Sequence, residues 1–242
     1  MTADVTGRRV VVVGGAAGIG LATARLALET GAQVAIIDRQ SAPPGTLGFT
    51  ADMKRTSEVN AAIAAAANAL GGIDGLAYCA GIDLQAPLSD TADEAWEQVI
   101  DVNLTGAMRA CRAALPHLSA QGGSIVLVSS GAGLSPLRHR TAYCASKAGL
   151  NMLAKTLAME LAPDGIRVNA LCPGAVETGL FRSGFNGIAD QDAALAEVKA
   201  RYALKRVAEP EEIARAILFL LSEDASYVTG IAMAVDGGRT FH

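Results

Sequence analysis

Arg9-Val10-Val11-Val12-Val13-Gly14-Gly15-Ala16-Ala17-Gly18-Ile19-Gly20 is the stretch that decides the fold of this chain. Residues 9–13 read as a short, continuous apolar strand buried on both faces. A run of glycines follows at once. A helical pattern then covers residues 19–29 and Gly31 ends it. Residues 33–37 form a second apolar run, closed by Asp38. A strand, a tight turn, a helix and a second strand within so short a span imply a parallel pair joined by a right-handed crossover.

The alternation continues outward from this unit. Strands are expected at residues 48–50, 74–79, 124–129, 167–172 and 231–235, and helices at 56–70, 94–118, 143–161 and 210–221. No repeat, low-complexity tract or linker interrupts them, and the alanine-rich residues 61–67 suit a helix. The expectation is an α/β chain in a single domain over residues 1–242, a doubly wound parallel sheet of Rossmann type with helices on both faces. In such a sheet ligands sit beyond the carboxyl ends of the strands. The glycine turn, Asp38, Ala80-Gly81, Ser130 and Pro173-Gly174 all fall at or just after strand ends.

Composition narrows the function classes. The net charge is −4 and the basic residues form no block, which argues against nucleic-acid partners. No apolar run approaches the roughly 20 residues of a membrane span, and the start lacks a basic segment followed by an apolar one, so neither membrane nor signal peptide is expected. Cys79, Cys111, Cys144 and Cys172 are widely spaced, without a metal-ligand spacing. They read as core-filling residues of a reduced, cytoplasmic protein with no bound metal.

The glycine turn stands between a buried strand and a helix N-terminus, where backbone N–H groups and the helix dipole favour a phosphate. Asp38 is placed to accept from the ribose hydroxyls of a dinucleotide and to repel a 2′-phosphate, which predicts NAD. Arg39 keeps NADP open. Further along, Tyr143 and Lys147 project from one face of a helix. A lysine charge beside a phenol favours the phenolate, so Lys147 is expected to lower the Tyr143 pKa and make it a proton-transfer residue. Ser130 lies upstream of this pair.

These residues come in an order that resembles the short-chain dehydrogenase/reductase family over nearly the whole chain: Gly14-x-x-x-Gly18-x-Gly20, Asp52, Ala80-Gly81, Asn103, Ser130, Tyr143-x-x-x-Lys147, Pro173-Gly174 and Asp236-Gly237-Gly238. The resemblance implies an alcohol dehydrogenase/reductase. It implies Tyr143 as general acid/base and Lys147 on the nicotinamide ribose. It implies Ser130 on the substrate oxygen and Asn103 placing a relay water behind Lys147. The cofactor contacts it implies are Gly14, Gly18, Ile19 and Gly20 in the phosphate loop and Asp52 with Met53 at the adenine. Ala80, Gly81, Pro173, Gly174, Val176 and Thr178 complete them. Ser129 is expected to be structural and Ser146 a hydroxyl on the helix surface.

The chain departs from the family pattern at Val13, where a threonine is usual, and at Tyr78-Cys79, where two asparagines are usual. Losing polar groups at both ends of one contact is nearly neutral, so the loop is expected to hold by apolar contact. Residues 179–206 are the family's usual substrate lid. Arg182 and Arg201 there, with Arg140 just before Tyr143, are expected to converge on an anion, which suggests a small hydroxy acid or sugar acid. A neutral cyclic alcohol, polyol or ketone is the alternative. A methyltransferase would not need Ser130, Tyr143 and Lys147 in register, and a non-catalytic dinucleotide sensor would be free to lose them. Family resemblance also implies a homotetramer through the helices at 94–118 and 143–161, with a dimer the alternative. The terminal residues 237–242 end on an aromatic, which leaves two readings: packing against a neighbouring subunit or a frayed tail.

Overall fold

A computed structural model describes residues 3–118 and 122–240. Seven strands form one parallel sheet in the order β3-β2-β1-β4-β5-β6-β7. They are β1 (Arg9–Val13), β2 (Gln33–Asp38), β3 (Leu47–Thr50), β4 (Gly75–Tyr78), β5 (Ser124–Val128), β6 (Arg167–Pro173) and β7 (Ala232–Val235). Helices α1 (Gly18–Glu29), α2 (Thr56–Leu70), α3 (Asp93–Ile100), α4 (Gly106–Ala114), α5 (Thr141–Leu161), α6 (Gly179–Ser183), α7 (Gln191–Ala200) and α8 (Pro210–Leu221) connect them.

Side chains alternate across a strand, and the core divides accordingly. Val11, Val13, Ala35, Ile37, Leu76, Tyr78, Ile125 and Leu127 face the layer built by α2, α4 and α5. Val10, Val12, Val34, Ile36, Ala77, Val126 and Val128 face α1 and α8 on the other side. Burial on both faces is why these strands read as unbroken apolar runs. The chain reverses direction in the sheet between β1 and β4, and the carboxyl ends there open into a groove.

The long helix expected over 94–118 is broken. Residues Asp101–Thr105 form a π turn between α3 and α4, and Leu115–His117 tighten into a 3-10 turn. The first element of the expected lid region, α6, begins at Gly179 with Thr178 as its cap, whose hydroxyl oxygen accepts from the Phe181 N–H at 3.2 Å. Phe241 and His242 lie outside the described residues, and with them the packing expected of the chain's last aromatic. No helix among the described residues is long and apolar enough to cross a membrane.

Candidate active site

The glycine loop is tied to the sheet by backbone. Gly14 N–H donates to the Ile37 carbonyl at 2.7 Å, and Cys79 N–H donates to the Val13 carbonyl at 2.7 Å. Gly14 has φ 79°, a left-handed conformation, and a Cβ there would collide with the backbone of Ala80. Glycine is therefore required both by dihedral and by close approach. At Val13 and Cys79 the loop is held by these main-chain bonds, which continue the β1–β2 and β1–β4 ladders.

A groove of about 300 Å³ runs past this loop. Gly14, Gly18, Ile19, Gly20, Asp38, Asp52, Met53, Ala80, Gly81 and Thr178 line it, as anticipated. The Asp38 carboxylate accepts from the Ala16 N–H and the Gln40 N–H, both at 3.0 Å, which fixes it at the rim. Helix α1 starts with no side-chain cap and no acidic residue in its first turn, so its leading N–H groups are left for an anion. These features fit a dinucleotide. Pro173, Gly174 and Val176 stand elsewhere: Gly174 lines a second cavity with Tyr202, and Val176 is buried beside Ala208. Gln98 and Val102 line the groove without having been singled out, because their helix is far from the glycine turn in sequence.

Ser130, Tyr143, Lys147 and Asn103 come together at the ends of β4 and β5. Ser130 caps the 3-10 turn that follows β5, accepting from Ala132 N–H at 3.0 Å, and its hydroxyl stands near enough to the Tyr143 phenol to favour the phenolate. Lys147 Nζ lies 5.7 Å from the centroid of the Tyr143 ring and donates to the Val128 carbonyl at 2.9 Å. Ser129 is structural, donating to the Lys147 carbonyl at 2.9 Å. Asn103 is fully buried in the π turn. Its amide oxygen accepts from Ile82 N–H at 2.8 Å and its nitrogen donates to the Ile82 carbonyl at 2.9 Å and to Ser146 Oγ at 3.0 Å. Ser146 is thus a buried link to Asn103 and not a surface hydroxyl.

Electrostatics correct one expectation. Burial pushes the Tyr143 phenol up to about 12, with the nearby Asp83 carboxylate acting in the same direction. The Ser130 hydroxyl and the Arg140 guanidinium oppose it. Burial pushes Lys147 itself down to about 8. An ammonium enclosed by the sheet and bonded to a carbonyl is too poorly solvated to hold its charge firmly. Cys79, beside the groove, is pushed up to about 12 by burial and stays a neutral thiol.

The three arginines expected to meet on an anion are mostly engaged elsewhere. Arg140 pairs with the Asp83 carboxylate and donates to Gln85 Oε1 at 3.1 Å. Arg182 pairs with Glu177. Arg201 is exposed at the carboxyl end of α7. Sequence alone could not anticipate this, since Asp83 and Arg140 are brought together only by the fold.

Residues 14–240 match the family model described as enoyl-(acyl carrier protein) reductase. The cis-4-hydroxycyclohexanecarboxylate dehydrogenase of Sinomonas cyclohexanicum is 41% identical over 96% of each chain. The 2-(S)-hydroxypropyl-CoM dehydrogenase 3 of Xanthobacter autotrophicus is 38% identical over 96% of each chain. The ligand-free aldohexose dehydrogenase of Thermoplasma acidophilum superposes with a TM-score of 0.94 at 29% identity, covering 100% of this chain and 97% of that one. The chain belongs to the short-chain dehydrogenase/reductase family. It is an oxidoreductase of the alcohol dehydrogenase/reductase kind, a class that works with NAD(P).

Proposed function

We propose that this protein interconverts a secondary alcohol and its ketone with NAD, using Tyr143 as the general acid/base, on a substrate uncharged beside its reacting carbon. The observation that carries this reading is the Tyr143 phenol beside Ser130 and Lys147, with the Lys147 ammonium close behind Gly81, which lines the glycine groove.

When bound, NAD supplies the hydride acceptor, and its reduced form the hydride donor. The chain's own groups do the rest. The N–H groups around Gly18, Ile19 and Gly20 hold the diphosphate, Asp38 the adenosine ribose, and Asp52 and Met53 the adenine. Lys147 holds the second ribose. Ala80, Gly81 and Thr178 line the nicotinamide end. Ser130 holds the substrate oxygen against Tyr143. In the reducing direction the phenol, protonated at neutral pH, gives its proton to the nascent alkoxide. In the oxidising direction it takes the hydroxyl proton, aided by Ser130 and by the charge brought with the cofactor.

An uncharged substrate is favoured because Arg140 and Arg182 already face carboxylates. The names of the relatives span an aldohexose and hydroxy acids, so the charge preference is a property of each pocket. By family likeness the protein works as a homotetramer. The test is formation of NADH, followed spectrophotometrically, with secondary alcohols by the wild type and by Tyr143→Phe. The variant is expected to keep NAD binding and lose about 10²–10⁴ in rate. Full activity in that variant would overturn the role given to Tyr143.

A further inference from the structure

Arg140 is held at a junction. His139 before it adopts φ 59°, a left-handed conformation uncommon outside glycine, and its carbonyl accepts from the Ala86 N–H at 2.8 Å. This turn delivers the Arg140 side chain to the loop after β4, where Nη1 meets the Asp83 carboxylate and Nη2 meets Gln85 at 3.1 Å. On the far side lies Gly184, where a Cβ would stand 3.3 Å from Nη2. From the turn into α5 the guanidinium thus reaches the loop after β4 and approaches the end of α6, and both it and Asp83 act electrostatically on the Tyr143 phenol. Both partners are largely withdrawn from water, with side-chain exposures of 26% for Arg140 and 14% for Asp83. The other Asp83 oxygen accepts from Leu84 N–H at 2.8 Å.

We propose that Asp83 determines the charge preference of the substrate pocket by occupying Arg140. This deepens the dehydrogenase reading and rests on it. A guanidinium at this place, unopposed, would be the preferred anchor for a substrate carboxylate. Matched by Asp83, it presents a neutral pair. An incoming carboxylate must displace Asp83 from its bonds while lying beside a like charge in a poorly hydrated site. A hydroxyl or amide meets no such opposition. Removing the Asp83 carboxylate should convert the pocket from one that refuses anions to one that selects them.

The probes are cyclohexanecarboxylate and its neutral isostere cyclohexanecarboxamide, titrated into the protein–NADH complex and read by the change in NADH fluorescence. The wild type is expected to bind the amide at least as tightly as the carboxylate. In Asp83→Asn the carboxylate-over-amide ratio is expected to rise about tenfold or more. Adding Arg140→Ala to that variant should remove the gain. In the wild-type background Arg140→Ala should lower the ratio, because it leaves the Asp83 carboxylate unpaired beside the ligand. Thermal melts report whether each variant is folded, and Asp83→Ala provides a second removal of the charge.

A wild type that prefers the carboxylate overturns the proposal, as does a carboxylate-over-amide ratio that rises on Arg140→Ala alone. An unchanged ratio in a folded Asp83 variant also overturns it. Failure of the wild type to bind NADH would instead overturn the dehydrogenase reading. Normal NADH binding with full activity in Tyr143→Phe would overturn only the role of that tyrosine.

Discussion

The Tyr78 hydroxyl donates a 2.6 Å hydrogen bond to the Val102 carbonyl, joining the end of β4 to the π turn that carries Asn103. A π turn shifts the helical hydrogen-bond pattern by one residue and leaves a carbonyl in need of a donor. Tyr78 is fully buried and supplies it. At the same turn, Arg109 bridges the Asp101 carboxylate at 2.7 Å and the Met53 carbonyl at 3.0 Å. The tyrosine that stands where the family has asparagine thus serves as a positioning residue. Tyr78→Phe is expected to cost about 1–3 kcal/mol in urea denaturation, the penalty of an unpaired buried carbonyl. It should also lower kcat while leaving the KM for NAD unchanged. In an Asn103→Ala background the kcat effect should vanish, because the two residues act through one turn.

Gly106 makes room for that hydroxyl. A Cβ at this position would lie 2.5 Å from Tyr78 Oη and 3.0 Å from Met53 Cβ. Gly106→Ala is expected to destabilise the fold by about 1–3 kcal/mol, as overpacking does. Combining it with Tyr78→Phe should recover part of that loss, which a thermal melt of the double variant would reveal. Strict additivity would show that the clash is with Met53 alone.

Asp38 offers its carboxylate at the groove rim, pinned by two backbone N–H groups. Replacing it by serine removes the charge that repels a 2′-phosphate and leaves Arg39 beside the groove. The ratio of kcat/KM for NADP to that for NAD should rise by about tenfold or more. A wild type that already favours NADP would reverse the cofactor assignment.

The Tyr143 phenol, pushed up to about 12 by burial, is protonated at neutral pH. Alcohol oxidation needs the phenolate, so its kcat/KM should climb with pH between about 7 and 9, approaching tenfold per unit. Ketone reduction needs the phenol and should show no such climb. A pH-independent oxidation rate would contradict this assignment.

Lys147 gives a stability signature of opposite kind. Its pKa is about 8 in the folded chain against 10.5 as a free side chain. Between those values the unfolded chain holds a proton that the folded chain has released, so this group adds stability as pH rises from about 8 to about 10.5. The gain is at most about 3 kcal/mol. Cys79 and Cys111, both pushed up to about 12 by burial, act the other way above about pH 9. The difference between wild type and Lys147→Met, measured by denaturant titration across this range, isolates the lysine.

The sheet and the glycine groove were legible because they rest on local patterns. An unbroken valine strand, a glycine turn and a terminal aspartate each announce themselves within a few residues. The break at Asp101–Thr105 was not, since a single extra residue in a helix leaves the apolar pattern over 94–118 nearly intact. Burial of Ser146 was hidden for a similar reason: its partner Asn103 lies on another helix. Pairing of Arg140 with Asp83, and the burial of Lys147 against the Val128 carbonyl, depend on contacts between remote segments. Residue identity alone gives charge, while the fold decides what neutralises it.

Every ladder in the sheet is parallel, and Val10 of β1 lies beside Gly75 of β4. No two adjacent strands are joined by a hairpin, so no rung can close before a long stretch of chain has been brought round. The β1–β4 join at the centre of the sheet closes over the longest of these stretches. Such a chain collapses slowly and leaves sticky edges open to other copies while it does so. Recovery of active protein should therefore improve when synthesis is slowed or cooled, and refolding yield should fall steeply with concentration.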